Sequence, residues 1–255
     1  MMASGSNRTK EQRRQDRSRR MVIVLCTLSL VLLGQGLLSG PSPAQEDKAV
    51  QEIKAVVKKI QARYEQTKDL QADFAQKTRV EGFATPITSS GRLFLKRPGR
   101  LRWDYVEPNR EEIYVNQDDV KMYVPEHSQV LIGKLTQMAA SQAPLQLLQG
   151  IGKIDEEFNV APAPNHARGA GGLPLVVLTP KTKDQQAARP FQQIVLEADP
   201  KTHYIKSLTL HELSGNVATF EFSSVKPNTG LQDGLFDFTA PAGTEVVRAP
   251  SFRAP

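Results

Sequence analysis

The chain has 255 residues, 39% of them hydrophobic, one cysteine and a formal net charge of +6; it can build one sizeable core, and nothing in it suggests two. Residues 1–44 hold seven Lys/Arg and two Asp/Glu, which leaves 26 basic and 25 acidic groups in the rest, too balanced for the basic footprint that nucleic-acid binding requires. The single cysteine, Cys26, also lies in that leader, so residues 45–255 contain no disulfide, thiol nucleophile or cysteine metal ligand.

At the N-terminus Arg13, Arg14, Arg17, Arg19 and Arg20 precede an apolar run from Met21 to Leu33 that weakens toward Leu38, and Ser42-Pro43-Ala44 supplies small residues. This order predicts a secretory signal peptide over 1–44, cleaved after Ala44, followed by a single domain over 45–255. An uncleaved anchor is the alternative, since Met21 to Leu38 is about long enough to span a bilayer, but Gly34, Gln35 and Gly36 weaken its far end. Ile23-Val24-Leu25 ahead of Cys26 lacks the small residue that lipid attachment requires. Ser18-Arg19-Arg20 is similar to a twin-arginine signal, but no cofactor motif calls for export in the folded state.

From Asp47 to Gln66, Val50, Ile53, Val56, Val57, Ile60 and Tyr64 recur at helical spacing, which predicts an amphipathic helix lying on something apolar. Leu70, Ala72, Phe74, Gln76, Thr78 and Val80 alternate as in a strand, and Gly82, Pro86 and Ser89-Ser90 predict a loop. Gly91 to Tyr105 then reads as a hairpin about Pro98-Gly99, with Leu93 and Leu95 on one side of its first arm and Leu101, Trp103 and Tyr105 on one side of its second. Short strands continue at Glu112–Asn116, Val120–Val124 and Ser128–Ile132.

Lys134 to Gly152 turns rich in Ala, Gln, Leu and Met, with Pro144 placed as a first helical residue, and predicts one or two short helices. Ala161 to Pro174 reads as a loop; Leu173–Thr179, Phe191–Ala198, His203–Glu212 and Asn216–Ser224 read as strands, with a turn at Ser214-Gly215-Asn216 and a closing strand near Phe236 to Thr239. Some ten strands in sequential hairpins imply a mainly β (α+β) fold: a strongly curved antiparallel sheet or incomplete barrel, with the helices over its open side. Periodicity leaves open whether its inner face is a filled core or a pocket.

Catalysis finds little support. His127, His166, His203 and His211 sit in no metal-binding helix motif; His203 and His211 fall on one predicted strand about 26 Å apart, too far to share a metal. No nucleophile elbow or phosphate-cradling loop occurs, and Asp155-Glu156-Glu157 reads as a solvated acidic run. No cofactor and no metal site is expected.

Lys96-Arg97-Pro98-Gly99, then Leu101-x-Trp103-x-Tyr105 and Glu107-Pro108, resembles the LolA family of periplasmic lipoprotein carriers. Met122-Tyr123-x-Pro125 with Gln129-Val130, Pro144-Leu145-x-Leu147-Leu148, Gly215-Asn216, Phe220-x-Phe222-Ser223, Asn228 and Phe236-x-Phe238-x-x-Pro241-x-Gly243-x-x-Val246 are similar to that family's later elements in the same order, from about Leu70 to Val247. One departure is the turn at Asp118-Asp119, where the family has a glycine; Asp tolerates the left-handed backbone better than most residues.

The resemblance implies a periplasmic protein whose hydrophobic cavity, roofed by helices, takes the acyl chains of lipoproteins on their way from the inner to the outer membrane. Candidate lining residues are Phe74, Leu93, Leu95, Leu101, Trp103, Tyr105, Val115, Met122, Met138, Leu145 and Leu148. It further implies that Arg97 grips lid backbone carbonyls and holds the empty carrier shut, a task suited to the five-donor fork of a guanidinium. Implied partners are acylated lipoproteins, an inner-membrane ABC-type release complex and an outer-membrane acceptor; the sequence itself shows no long apolar edge or coiled-coil heptad, so a monomer is expected. A carrier or sensor of another envelope lipid or glycolipid fits the same resemblance, because likeness of fold does not fix cargo.

Overall fold

A computed structural model describes residues 43–135, 143–149, 151–181 and 191–248. The chain divides into two compact units, 1–46 and 47–255. The leader that sequence reading assigns to 1–44 lies outside the described residues except for Pro43 and Ala44, which begin the first helix.

That helix, α1 (Pro43–Glu65), starts four residues ahead of its expected position. Its buried stripe is the one the spacing predicts, save that Val50 is only half-buried: Ile53, Val56, Val57, Ile60 and Tyr64 are all within 4% of complete burial. Thr67 ends it by donating to the Arg63 carbonyl at 2.8 Å while bonding the Tyr204 hydroxyl at 2.8 Å, and the Ile205 amide donates to the Tyr64 hydroxyl at 3.3 Å. The C-terminal end of α1 is thus bonded to the sheet through buried hydroxyls.

Twelve described strands form one sheet: β1 (Asp69–Arg79), β2 (Ile87–Lys96), β3 (Arg100–Glu107), β4 (Glu111–Asn116), β5 (Asp119–Val124), β6 (Gln129–Lys134), β7 (Phe158–Pro162), β8 (Val176–Pro180), β9 (Phe191–Ala198), β10 (Ile205–Glu212), β11 (Val217–Pro227) and β12 (Glu245–Arg248). Their order is β12-β6-β5-β4-β3-β2-β1-β11-β10-β9-β8-β7, antiparallel throughout except that β12 lies parallel to β6. Two short helices, α2 (Ala143–Gln149) and α3 (Ile154–Glu157), fall between β6 and β7.

The sheet's curvature follows from what touches across it. β3 and β10 stand four places apart, about 19 Å in a flat sheet, yet the seven-residue α2, about 10 Å long, packs against both. Side chains of β3 and β11 converge likewise: Trp103 lies 5.6 Å from Phe220 and 6.1 Å from Phe222, ring centre to ring centre. Alternation then places one large apolar set on the inner face and a mixed set on the outer face.

Several expectations are corrected. Ser89 and Ser90 belong to β2, because they pair with Gln76 and Ala75 of β1. Phe158–Pro162 is a strand that the acidic run before it and the Pro/Gly-rich stretch after it obscure; it pairs with β8 and takes the first two residues of the expected loop. His203 precedes β10, in a turn with φ +60°, so the two histidines do not share a strand.

Phe236 to Thr239 is not the closing strand. Asp233–Phe236 is a 3-10 turn on the outer face, where Phe236 is buried and Phe238 packs on Tyr114 and Tyr123 at 5.2 and 5.4 Å. The closing strand is β12, further on. In the β4–β5 hairpin the left-handed residue is Gln117 (φ +56°), one place before the aspartates; its amide donates to the Gly99 carbonyl at 2.6 Å, which fixes the turn.

Candidate functional site

The inner face is the site that the lining residues share. Phe74, Leu93, Leu95, Leu101, Trp103 and Val115 are buried there, Tyr105 and Met122 are partly buried against them, and Leu145 and Leu148 reach in from α2. Met138 lies outside the described residues. Registers explain the grouping: Leu95 faces Leu101, which faces Val115, while Leu93 faces Trp103, which faces Ile113 and then Met122. One period-2 pattern, in register over four strands, makes a continuous apolar wall.

A compact aromatic group centres on Trp103. Phe74 lies 4.5 Å from it and 5.2 Å, edge-on, from Tyr105, the offset and T-shaped arrangements that ring quadrupoles favour. Gly91 makes room for the group. It sits between Phe74 and Tyr105 in the ladder, and a Cβ there would come within 1.9 Å of the Asp104 carbonyl oxygen and 2.9 Å of the Phe74 ring.

α2 covers this wall. Ala143, Pro144, Leu145, Leu147 and Leu148 are buried, too many for a narrow stripe, as expected of a short helix pressed into a concavity. Among the described residues its side-chain ties come from two glutamines: Gln146 Nε2 donates to the Leu135 carbonyl at 2.6 Å, and Gln149 Nε2 to the Gly99 carbonyl at 3.1 Å. A surface cleft of about 310 Å³ between this helix end and the β2–β3 turn is lined by Arg97, Gly99, Leu148 and Gln149, among others.

Arg97 is exposed on that cleft. Its amide donates to the Lys68 carbonyl at 2.9 Å, and no hydrogen bond of its guanidinium is found among the described residues. Among the described residues the polar link between the hairpin turn and α2 is Gln149. Sequence reading missed it because a polar residue in a Gln-rich helix looks like any solvated one.

Among the described residues the inner face is tightly packed. A void of about 10 Å³ remains among Tyr64, Leu70, Ala72, Leu93, Leu148, Ile205, Phe222 and Val225, barely the space of one water molecule. Much of the filling comes from residues not singled out as lining: Ile53, Val57 and Ile60 of α1, Phe220 and Phe222 of β11, and Leu208 of β10. Alternation in Phe220-x-Phe222 is the signal that could have added the last strands to the wall.

Burial sets the electrostatics. The Tyr105 phenol is pushed well above its ordinary range by desolvation and then by the charge of Glu111, and Glu111 itself is raised by desolvation. On the outer face burial raises the Asp104 carboxyl, although Arg102 Nε bonds its two oxygens at 2.8 and 3.0 Å and opposes the shift.

The family model for "Outer membrane lipoprotein carrier protein LolA" matches residues 65–239, which include every strand but β12 and the whole lining described above. An outer-membrane lipoprotein carrier protein of Nitrosospira multiformis is 31% identical over 183 residues, 72% of this chain and 84% of that protein. Another, of Azotobacter vinelandii, is 29% identical over 220 residues, 86% of this chain and 97% of that one. The crystal structure of a LolA superfamily protein from Nitrosomonas europaea aligns with a TM-score of 0.42 at 13% identity over 73% of this chain and 97% of that chain, a likeness too loose to add to the fold. The match over most of the chain, on a curved mainly antiparallel sheet, shows that this chain belongs to the LolA family.

Proposed function

We propose that this protein is a periplasmic carrier that shields the acyl chains of lipoproteins between the inner and the outer membrane. The observation that carries the reading is the apolar concave wall covered by α2, a seven-residue helix whose side-chain ties among the described residues are two glutamine bonds. Leader-directed export would place it in the periplasm, with an ABC-type complex supplying cargo and an outer-membrane acceptor taking it. No chemical step is required of it.

Physical chemistry makes such a carrier necessary, because each methylene leaving a membrane for water costs roughly 0.8 kcal/mol and an acylated protein has many. The packed inner face fits the task. In the closed form Leu145, Leu147 and Leu148 occupy the concavity; cargo entering as α2 swings out replaces apolar atoms with apolar atoms. Net affinity is then a small difference between two burials, and a carrier that must release its load needs a small one.

Arg97 is assigned the latch within this cycle. It stands beside the last turn of α2, whose final carbonyls lack intrahelical partners, and a guanidinium can grip two of them at once.

Extraction of the purified protein, followed by mass spectrometry of what it carries, tests the reading. Acyl chains linked to a protein N-terminus are the expected result. Free phospholipid or glycolipid would make it a carrier of another envelope lipid, and no lipid under any loading condition would end the proposal.

A further inference from the structure

Within the apolar wall one polar hydrogen lacks a well-formed hydrogen bond among the described residues. Trp103 is 1% exposed, yet its indole Nε1–H completes no hydrogen bond among the described residues. It faces the Tyr105 hydroxyl without completing a bond to it; that hydroxyl donates to Gln76 Oε1 at 2.8 Å. Phe74, Phe220 and Phe222 crowd the remaining sides at 4.5, 5.6 and 6.1 Å. Phenylalanine would supply a ring at this position without burying an unmet donor, and an unmet buried donor lowers stability.

Resting on the carrier reading, we propose that the Trp103 indole N–H is the binding site for an acyl carbonyl, ester or amide, of the lipid taken up when α2 opens. Chains that enter an apolar chamber bring one strong acceptor each, the carbonyl that joins them to glycerol or to nitrogen. That oxygen loses its water on entry and needs a donor. Trp103 offers one already desolvated and held by the surrounding rings, so neither partner is reorganised on binding. The Tyr105 hydroxyl, beside it, can turn from Gln76 to the same oxygen. The contact fixes how deep the carbonyl end of a chain sits, while the chain itself is held only by apolar packing.

Trp103 is the only tryptophan in the chain, so one indole N–H signal reports the site in a proton–nitrogen spectrum. The purified protein is titrated with dioleoylglycerol and with its diether analogue, which has the same chains and no carbonyl; an N-oleoyl amide run alongside reports the amide source. The diester should bind about tenfold more tightly than the diether and move the indole proton downfield, and Trp103→Phe should bind the two alike. Tighter binding of the amide than of the diether supports the same site. Equal affinities in the wild type, an unmoved indole proton, or a diester preference that survives Trp103→Phe overturns the assignment and leaves the carrier reading standing. Failure of every lipid to bind the wild type overturns both.

Discussion

Gln149 Nε2 donates to the carbonyl oxygen of Gly99 at 3.1 Å, so the last turn of α2 is tied to the tip of the β2–β3 hairpin. The same oxygen accepts the Gln117 amide at 2.6 Å, which anchors the tip to the next hairpin. Gln149→Ala removes the tie from the movable side only. A neutral hydrogen bond contributes about 0.5–1.5 kcal/mol, so the open form should rise roughly two- to tenfold, read as tighter binding of an environment-sensitive hydrophobic dye. Unchanged dye affinity would show that this bond does not restrain the helix.

Arg97→Leu should leave thermal stability within about 0.5 kcal/mol, since the side chain is exposed and bonds nothing described. Delivery of lipoprotein to an acceptor membrane should nevertheless fall. Arg97→Lys should not restore it, because a point charge cannot reproduce the fork. Wild-type delivery by the leucine variant removes Arg97 from the cycle.

Gly91→Ala tests the packing of the aromatic group. The new methyl meets backbone at 1.9 Å and the Phe74 ring at 2.9 Å, and backbone cannot rotate away as a side chain can. Destabilisation of about 2–3 kcal/mol or more is expected, visible as a lower urea midpoint at unchanged slope. A midpoint equal to that of wild type would mean that β2 and β3 part easily.

Glu111 gives a pH dependence with a definite sign. Desolvation raises its pKa in the fold, so the folded state favours its protonated form. Its contribution is fully present below the unfolded carboxylate pKa and is lost as pH rises through the folded value. Wild type should therefore lose stability relative to Glu111→Gln as pH climbs out of the ordinary carboxylate range. Parallel stability–pH curves for the two proteins would refute the shift.

Asp69 holds the segment that leads to the outer-face aromatics. Its carboxylate accepts the Thr229 amide at 2.7 Å, the Thr229 hydroxyl at 3.2 Å and the Gly230 amide at 3.1 Å. Asp69→Ala should cost about 2–4 kcal/mol, as expected for bonds to a buried charged acceptor, and Asp69→Asn distinctly less. Thermal melts of the two variants check the order.

Much of the sheet was legible because period-2 alternation and turn residues are local. Phe191–Ala198 is predicted to the residue, and the Leu93/Leu95 and Leu101/Trp103 sides come out as drawn. What failed was set at a distance. Phe158–Pro162 is a strand only because Val176–Pro180 lies beside it, and Phe236 and Phe238, aromatic and alternating, are taken by Tyr114 and Tyr123 on the outer face instead of by a ladder. Within the site the wall could be read from spacing. How closely that wall is packed could not, since that depends on how far α1 and α2 descend into the concavity.

The parallel pairing of β12 with β6 joins residues 245–248 to residues 129–132. A chain emerging from an export channel N-terminus first leaves the outer side of β6 without a neighbour until residues 245–248 arrive. An uncovered strand edge recruits strands from other molecules, and this protein works beside greasy passengers that cluster readily. Loss of the 245–248 pairing should therefore be felt first as clumping of the newly exported polypeptide, before any loss of the greasy chamber itself.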